Sequence, residues 1–281
     1  MNSRESAPQS STVFEERLAR VQSVMAVRGV DCVMLSVGHD LPYLTGYHVM
    51  PLERLTMLVV PREGLATLVI PRLEAPRVHL HPTVFGLVPW NETDDPVAIV
   101  AKIAAGARTI AVGDQMWARF LVELLGHLPH ASYSRAVDIV GPLRRVKTAS
   151  EIAALQRAGA AADRVAAQLH AGQIPLVGRT EAQVSADISQ RLLDEGHDVV
   201  NFAIVAAGEN AASPHHHPGG RVIRTGELVL CDFGGTMADY CSDITRCVFL
   251  GEPTPEVRDA YAVLKEAQAA SVAAEIGRAH V

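Results

Sequence analysis

Paired cysteine motifs are absent from this chain. Its 281 residues include four cysteines, Cys32, Cys231, Cys241 and Cys247, and no two of them have Cys-x-x-Cys spacing. That spacing would be needed for the common zinc and redox motifs. A small number of cysteines without a pairing pattern is typical of proteins from a reducing compartment. We therefore expect a cytoplasmic protein in which all four cysteines are small core residues.

Long apolar runs and basic clusters are also missing. No apolar run approaches the roughly 18 residues of a membrane-spanning helix, so no membrane partner is expected. The polar segment Met1–Ser11 lacks the apolar centre of a signal peptide. We expect residues 1–12 to be a disordered N-terminus. The formal net charge is −6, and no Lys/Arg cluster interrupts it, which argues against a nucleic-acid partner.

The first half of the chain alternates between helix and strand patterns. Apolar residues recur at helical spacing from Phe14 to Met25, and Cys32–Leu35 has the pattern of a buried strand. The turn sequence Pro61-Arg62-Glu63-Gly64 separates two apolar runs and predicts a hairpin. Similar alternation continues to about residue 140. Residues 13–141 are therefore predicted to form an α/β domain.

The second half, residues 142–274, is predicted to be a second unit that begins with two helices. Thr148-Ala149-Ser150-Glu151 and Thr180-Glu181-Ala182-Gln183 are capping boxes, and each predicts the start of a helix. A last helix is predicted to begin at Thr254-Pro255-Glu256, because proline fits the first turn of a helix.

Between these helices lies a predicted β-hairpin. Its first strand is Glu227–Phe233, followed by the turn signal Gly234-Gly235, and its second strand runs from about Tyr240 to Leu250. We place the centre of the connecting loop at Met237-Ala238.

Two carboxylates in this hairpin are the main candidates for a functional site. With that loop centre, Asp232 and Asp243 lie directly opposite each other on one face, with Cβ atoms roughly 5 Å apart. Like charges so close repel each other, and burial strengthens the repulsion. A divalent cation, or a pair of them, would convert the two side chains into ligands. Alternatively, Asp232 only initiates a turn beside the glycines, whereas Asp243 stands among strand formers, where aspartate is unfavourable.

Three histidines precede the hairpin. His215-His216-His217 is followed by Pro218-Gly219-Gly220, and a solvated loop is the ordinary interpretation of such a segment. Its distance from Asp232 and the hairpin that follows make His215 a candidate functional residue. Neither His216 nor His217 is predicted to be a metal ligand. Because Pro214 and Pro218 restrict the backbone on both sides, we expect His215 to project from a loop.

Four segments together resemble the creatinase/prolidase/aminopeptidase P group of M24-type metallopeptidases, which have the pita-bread fold. They are Leu41-Pro42-Tyr43-Leu44-Thr45-Gly46-Tyr47, Arg145–Ile152, Asn210–His216 and Ser242–Arg246. The resemblance covers nearly the whole chain. It implies an α/β creatinase-like N-terminal domain followed by an α+β pita-bread domain, and it implies a homodimer.

The resemblance also implies a chemistry. Members of the group hold two divalent cations, often manganese or cobalt and possibly zinc, with two Asp, one His and two Glu. The two Asp fall on Asp232 and Asp243, and the substrate-binding histidine falls on His215. The implied reaction is hydrolysis of the peptide bond before proline by a metal-activated water, with a proline-containing peptide as substrate.

The chain departs from the family pattern after Asp243. The only histidine between Ile244 and Val281 is His280, which lacks the glycine-rich surroundings of the family's ligand. The resemblance therefore implies an incomplete pita-bread domain, a C-terminally truncated protein and an inactive chain. Residues 275–281 match the translation of a common sequencing-library adapter and are expected to be a non-native tail. A natural tail in which Gly277 ends the last helix is the alternative.

Two other functions remain open from the sequence. One is a creatinase-like C–N hydrolase that works without metal. The other is a non-catalytic pita-bread module that binds a protein partner.

Overall fold

A computed structural model describes residues 11–275, and the chain divides into two units between Lys147 and Thr148. The predicted domain start at Pro142 falls inside a helix of the first unit, Val137–Arg145. A proline often marks a helix boundary because it lacks the N–H donor, but this short helix accommodates Pro142. The expected disordered N-terminus lies mostly outside the described residues, and Ser11 already begins a helix.

The first unit is an α/β domain, as predicted. Its described elements are α1 (Ser11–Arg28), β1 (Cys32–Leu35), α2 (Asp40–Thr45), β2 (Met57–Pro61), β3 (Ala66–Pro71), a short 3-10 helix (Ala75–Arg77), β4 (Phe85–Trp90), α3 (Pro96–Ile103), β5 (Thr109–Val112), α4 (Ala118–His127), β6 (Ser132–Arg135) and α5 (Val137–Arg145). The strands form one mixed sheet in the order β4-β3-β2-β1-β5-β6. The predicted β2–β3 hairpin is confirmed as an antiparallel pair.

Both faces of this sheet are covered. Along β1, Val33 and Leu35 pack into the core on one face, while Cys32 and Met34 pack into the core on the other. A strand buried on both faces reads as a continuous apolar run, which explains why β1 was readily predicted from its sequence.

The second unit contains α6 (Ala149–His170), α7 (Glu181–Asp194), β7 (Val199–Ala207), a short 3-10 helix (Gly208–Ala212), β8 (Leu228–Met237), β9 (Tyr240–Cys241), β10 (Ile244–Phe249) and α8 (Pro255–Glu275). Both predicted capping boxes are present, since each N-cap threonine and its N3 partner exchange hydrogen bonds. In the sheet, β8 lies between β10 and β7. The expected non-native tail lies outside the described residues, apart from Glu275.

One face of this second sheet is packed against α6 and α7. Val229, Cys231 and Phe233 of β8 are fully buried in that core, together with apolar residues of both helices. The residues that alternate with them in β8 point to the opposite face. Helix α8 contributes no buried residue among those described. Across residues 11–275, no helix is both long and apolar enough to cross a bilayer.

Candidate functional site

The hairpin turn lies one position later than expected. Strand β8 continues through both glycines to Met237, and the turn is formed by Ala238 and Asp239, which have φ of 46° and 71°. Two consecutive residues with positive φ are characteristic of a tight two-residue hairpin turn. The pairing of β8 with β10 therefore places Thr245, not Asp243, opposite Asp232. The predicted direct opposition of Asp232 and Asp243 is wrong, because the partner of Asp232 lies two residues further along the chain.

Close packing explains why the two glycines lie in the strand. A Cβ atom on Gly234 would lie 2.1 Å from the carbonyl oxygen of Ser242, and one on Gly235 would lie 2.5 Å from that of Val199. Glycine inside a strand often marks such a close backbone approach. The glycine pair was therefore a packing signal and was misread as a turn.

Asp232 and Asp243 nevertheless share a face of the sheet. The Thr245 hydroxyl donates a hydrogen bond to Asp232 Oδ1 at 2.7 Å, so these opposed residues point to the same side. Ser242 is buried and Ile244 packs against the core, whereas Asp243 and Thr245 are exposed. The register on both sides of Asp243 puts it across from Gly234, diagonal to Asp232. Diagonal neighbours in an antiparallel ladder are roughly 7–8 Å apart.

The two carboxylates suit part of a metal site. Within residues 11–275 neither forms an ion pair, and Asp243 makes no hydrogen bond, so their oxygens are available. Carboxylate oxygens are preferred ligands for hard divalent cations, which take six or more ligands. No group of three or more His, Cys, Asp or Glu in that part of the chain could hold a metal ion. The residues present therefore fit a divalent cation in kind, but they do not complete its ligand set.

A buried histidine and serine hold the backbone beside Asp243. The strand opposite β8 is broken at Ser242 and Asp243, where a single strand was predicted. The Ser242 hydroxyl oxygen lies 2.8 Å from His197 Nε2 and accepts a hydrogen bond from the Gly235 N–H. His197 Nδ1 is 3.0 Å from the Leu192 carbonyl oxygen, so it is the donor there. His197 was not singled out from the sequence, and Ser242 was named only as the first residue of the segment Ser242–Arg246.

The three histidines occupy different environments. His215 is exposed in a turn after the 3-10 helix, with φ of 56°, so its predicted place on a loop agrees with the structure. His217 is also exposed, whereas the Nε2 atom of His216 is 2.9 Å from Glu181 Oε2. The loop that contains these histidines begins after Ala207, the last residue of β7, which pairs with Val229 near the start of β8.

Sequence reasoning also missed the role of Glu181. It was recognised only as a position within a capping box, yet its side chain is completely buried. Burial raises its pKa, but hydrogen bonds from the Ala207 N–H, Asn210 and His216 outweigh that effect and hold the pKa below its usual range. The carboxylate form is thus favoured inside the protein.

The cysteines differ from expectation at one position. Cys32 and Cys231 are buried and Cys247 is half-buried, but Cys241 is exposed at the rim of the hairpin. All four are free thiols. Burial raises the pKa of Cys32 and of Cys231 to about 12, which makes both unreactive.

Comparison with known proteins matches both units. Residues 17–146 match the Creatinase/Prolidase N-terminal domain, and residues 153–278 match Metallopeptidase family M24. The probable dipeptidase PepE of Mycobacterium tuberculosis is 40% identical over 267 residues, covering 92% of this chain and 70% of that protein.

Solved structures show the same likeness. A prolidase from Thermococcus sibiricus superposes with a TM-score of 0.84 at 31% identity, over 92% of this chain and 71% of that one. An Xaa-Pro dipeptidase from Bacillus anthracis superposes with a TM-score of 0.78 at 25% identity, over 91% and 70%. The chain belongs to metallopeptidase family M24. It combines a creatinase-like N-terminal domain with the pita-bread fold, as the resemblance implied, and it spans about 70% of the length of these relatives.

Proposed function

We propose that this chain carries part of the active site of an Xaa-Pro peptidase, with Asp232 and Asp243 as ligands to two divalent cations. The observation that supports this most is the placement of both carboxylates on one accessible face of the β8–β10 hairpin, without an ion pair among residues 11–275. The printed names of the relatives, a prolidase and an Xaa-Pro dipeptidase, support a substrate with proline after the scissile bond.

Each residue has a distinct part in this proposal. Bound cations would supply an activated water and polarise the scissile carbonyl. The Thr245 hydroxyl holds one oxygen of Asp232, and the His197–Ser242 pair fixes the backbone beside Asp243. The exposed ring of His215 donates a hydrogen bond to the substrate carbonyl oxygen, where negative charge develops.

The family resemblance implies one His and two Glu as further ligands, and no group of three or more ligand-type side chains within residues 11–275 could hold a metal ion. For that reason we expect the 281-residue chain alone to bind metal weakly and to lack peptidase turnover. Manganese or cobalt is the proposed metal pair, with zinc as the alternative. A cytoplasmic location is supported by the four free cysteines, while a homodimer rests on the family resemblance.

A chimera tests this function. Residues 1–250 are joined to the whole C-terminal part of Mycobacterium tuberculosis PepE that follows the position matched to Leu250. With manganese, the chimera should hydrolyse Ala-Pro faster than Ala-Ala. Asp232→Asn and Asp243→Asn should each abolish turnover, while Asp194→Asn, an exposed acid on α7, should not.

Two outcomes would contradict the proposal. If the chimera is folded, binds manganese and does not cleave Ala-Pro, the substrate class is wrong. If it hydrolyses substrate equally well with and without Asp232 and in the presence of chelator, the metal-independent C–N hydrolase becomes the better account.

A further inference from the structure

The buried carboxylate of Glu181 is hydrogen-bonded entirely to one loop. Its Oε1 atom accepts from the Ala207 N–H at 2.8 Å and from Asn210 Nδ2 at 2.9 Å. Its Oε2 atom is 2.9 Å from His216 Nε2 and accepts from the Gly219 N–H at 3.4 Å. One oxygen thus holds the beginning of the loop, and the other holds its end.

Burying the charged carboxylate of Glu181 costs free energy unless hydrogen bonds compensate for the lost hydration. A buried charge is strongly destabilising without partners. Here four donors surround it, and Glu181 is the first residue of α7, where the helix dipole favours a negative charge.

Backbone contacts close the same loop at its base. The Glu181 N–H donates to the Arg221 carbonyl oxygen at 3.0 Å, and the Ala182 N–H donates to that of Gly219 at 3.1 Å. Thr180 and Val222 form an isolated β-bridge beside them. The start of α7 therefore anchors the returning end of the loop through both backbone and side chain.

His215 lies in the middle of this loop and has no anchor of its own. It is exposed, and its side chain makes no hydrogen bond within residues 11–275. Its positive φ is uncommon for a residue other than glycine. A backbone conformation of that kind persists only when its surroundings determine it. The neighbouring His216, bonded to Glu181, is the nearest anchored side chain.

We propose that Glu181 and His216 are positioning residues, which fix the backbone of His215 so that its ring is presented to the substrate. This inference rests on the proposed function in one respect, the substrate contact of His215. The two adjacent histidines then have different roles: His216 bonds to Glu181 inside the protein, and His215 contacts the substrate.

The test uses the full 281-residue chain and a matched pair of neighbours. Nitrogen-15 relaxation of the His215 amide is measured in wild type, His216→Ala and His217→Ala. The expected order parameter is about 0.85 in wild type and His217→Ala, and below about 0.6 in His216→Ala. His216→Gln, whose amide can donate to Glu181, should restore the order. Glu181→Gln, with one acceptor oxygen instead of two, should loosen the loop as well.

The amides of β8 report whether each variant is folded. His216→Ala is chosen first because Glu181 keeps three donors in that variant, so the core is retained. An His215 amide that stays as rigid in His216→Ala as in wild type would overturn the proposal. Equal loosening by His217→Ala, or no recovery with His216→Gln, would do the same.

A second readout separates this claim from the proposed function. Ala-Pro is titrated into each protein, and the shift of the His215 ring signals is followed. His216→Ala should weaken binding about tenfold, whereas His217→Ala should not change it. Failure of Ala-Pro to shift the His215 signals in wild type would contradict the substrate role of His215. The relaxation results would still decide whether Glu181 and His216 fix the loop.

Discussion

His197 Nε2 lies 2.8 Å from the hydroxyl oxygen of Ser242, and both side chains are buried beside the strand break that contains Asp243. This contact turns Ser242 into the core and leaves Asp243 on the exposed face. The pair therefore links packing inside the second unit to the placement of a proposed metal ligand.

Ser242→Ala should destabilise the second unit by about 1–3 kcal/mol, because it leaves His197 Nε2 buried without a partner. Urea unfolding followed by circular dichroism measures the change. Ser271→Ala is the control, since Ser271 is exposed on α8 and its hydroxyl donates to the Ala267 carbonyl oxygen of the same helix. Equal stability of the two variants would mean that the His197–Ser242 contact contributes nothing.

Gly234→Ala should destabilise the hairpin by about 1–3 kcal/mol or more, as overpacking does in well-packed interiors. The added Cβ would lie 2.1 Å from the Ser242 carbonyl oxygen, and that backbone cannot move without shifting Asp243. Gly220→Ala is the matched control, because among residues 11–275, its two chain neighbours aside, no atom lies within 4 Å of its added Cβ. Thermal unfolding of both variants measures the difference in stability. If Gly234→Ala is as stable as Gly220→Ala, the observed register is contradicted.

Asp31 should make the stability of the first unit depend on pH. The hydrogen bond from the Arg108 N–H is the largest cause that holds the pKa of Asp31 below its usual range. Burial raises this pKa, whereas Thr109 and Arg62 lower it further. A lowered folded-state pKa contributes stability above the unfolded value of about 3.9, and this contribution is lost as the pH falls through the folded value.

Asp31→Asn should therefore cost about 1–3 kcal/mol at pH 7, and the difference from wild type should shrink below about pH 4. Unfolding free energies at neutral and acid pH measure it, with the exposed Glu63→Gln as control. A difference that does not change between the two pH values would show that the Asp31 charge is not responsible.

The parts of the fold that were predictable are those with strong local signals. Capping boxes at Thr148 and Thr180 fixed two helix starts, and the apolar run of β1 marked a strand buried on both faces. The missed strands β4 and β6 lie at opposite edges of the first sheet. Edge strands tolerate proline, glycine and polar residues, so Pro89 in β4 and the polar β6 concealed them.

The composition of the proposed site comes from the sequence and stays a prediction, whereas its geometry needed the structure. Asp243 stands out because aspartate is unfavourable among strand formers, and Asp232 stands out because the predicted hairpin places it on the same face as Asp243. Their register depended on Ala238 and Asp239 adopting positive φ, for which their residue types gave only a weak signal. Glu181 and His197 were missed because their partners are distant in sequence, and only the folded chain brings them together.

Titration of the 281-residue chain with paramagnetic Mn²⁺ tests the central claim, that Asp232 and Asp243 form the metal-binding face, most directly. Nuclear magnetic resonance should show the amide signals of Asp232, Asp243 and Thr245 broadening at the lowest metal concentration. The Asp232→Asn/Asp243→Asn double variant should lose this broadening, while Asp194→Asn should retain it. Broadening that starts at His215–His217 or along α8, or that persists in the double variant, would contradict the claim.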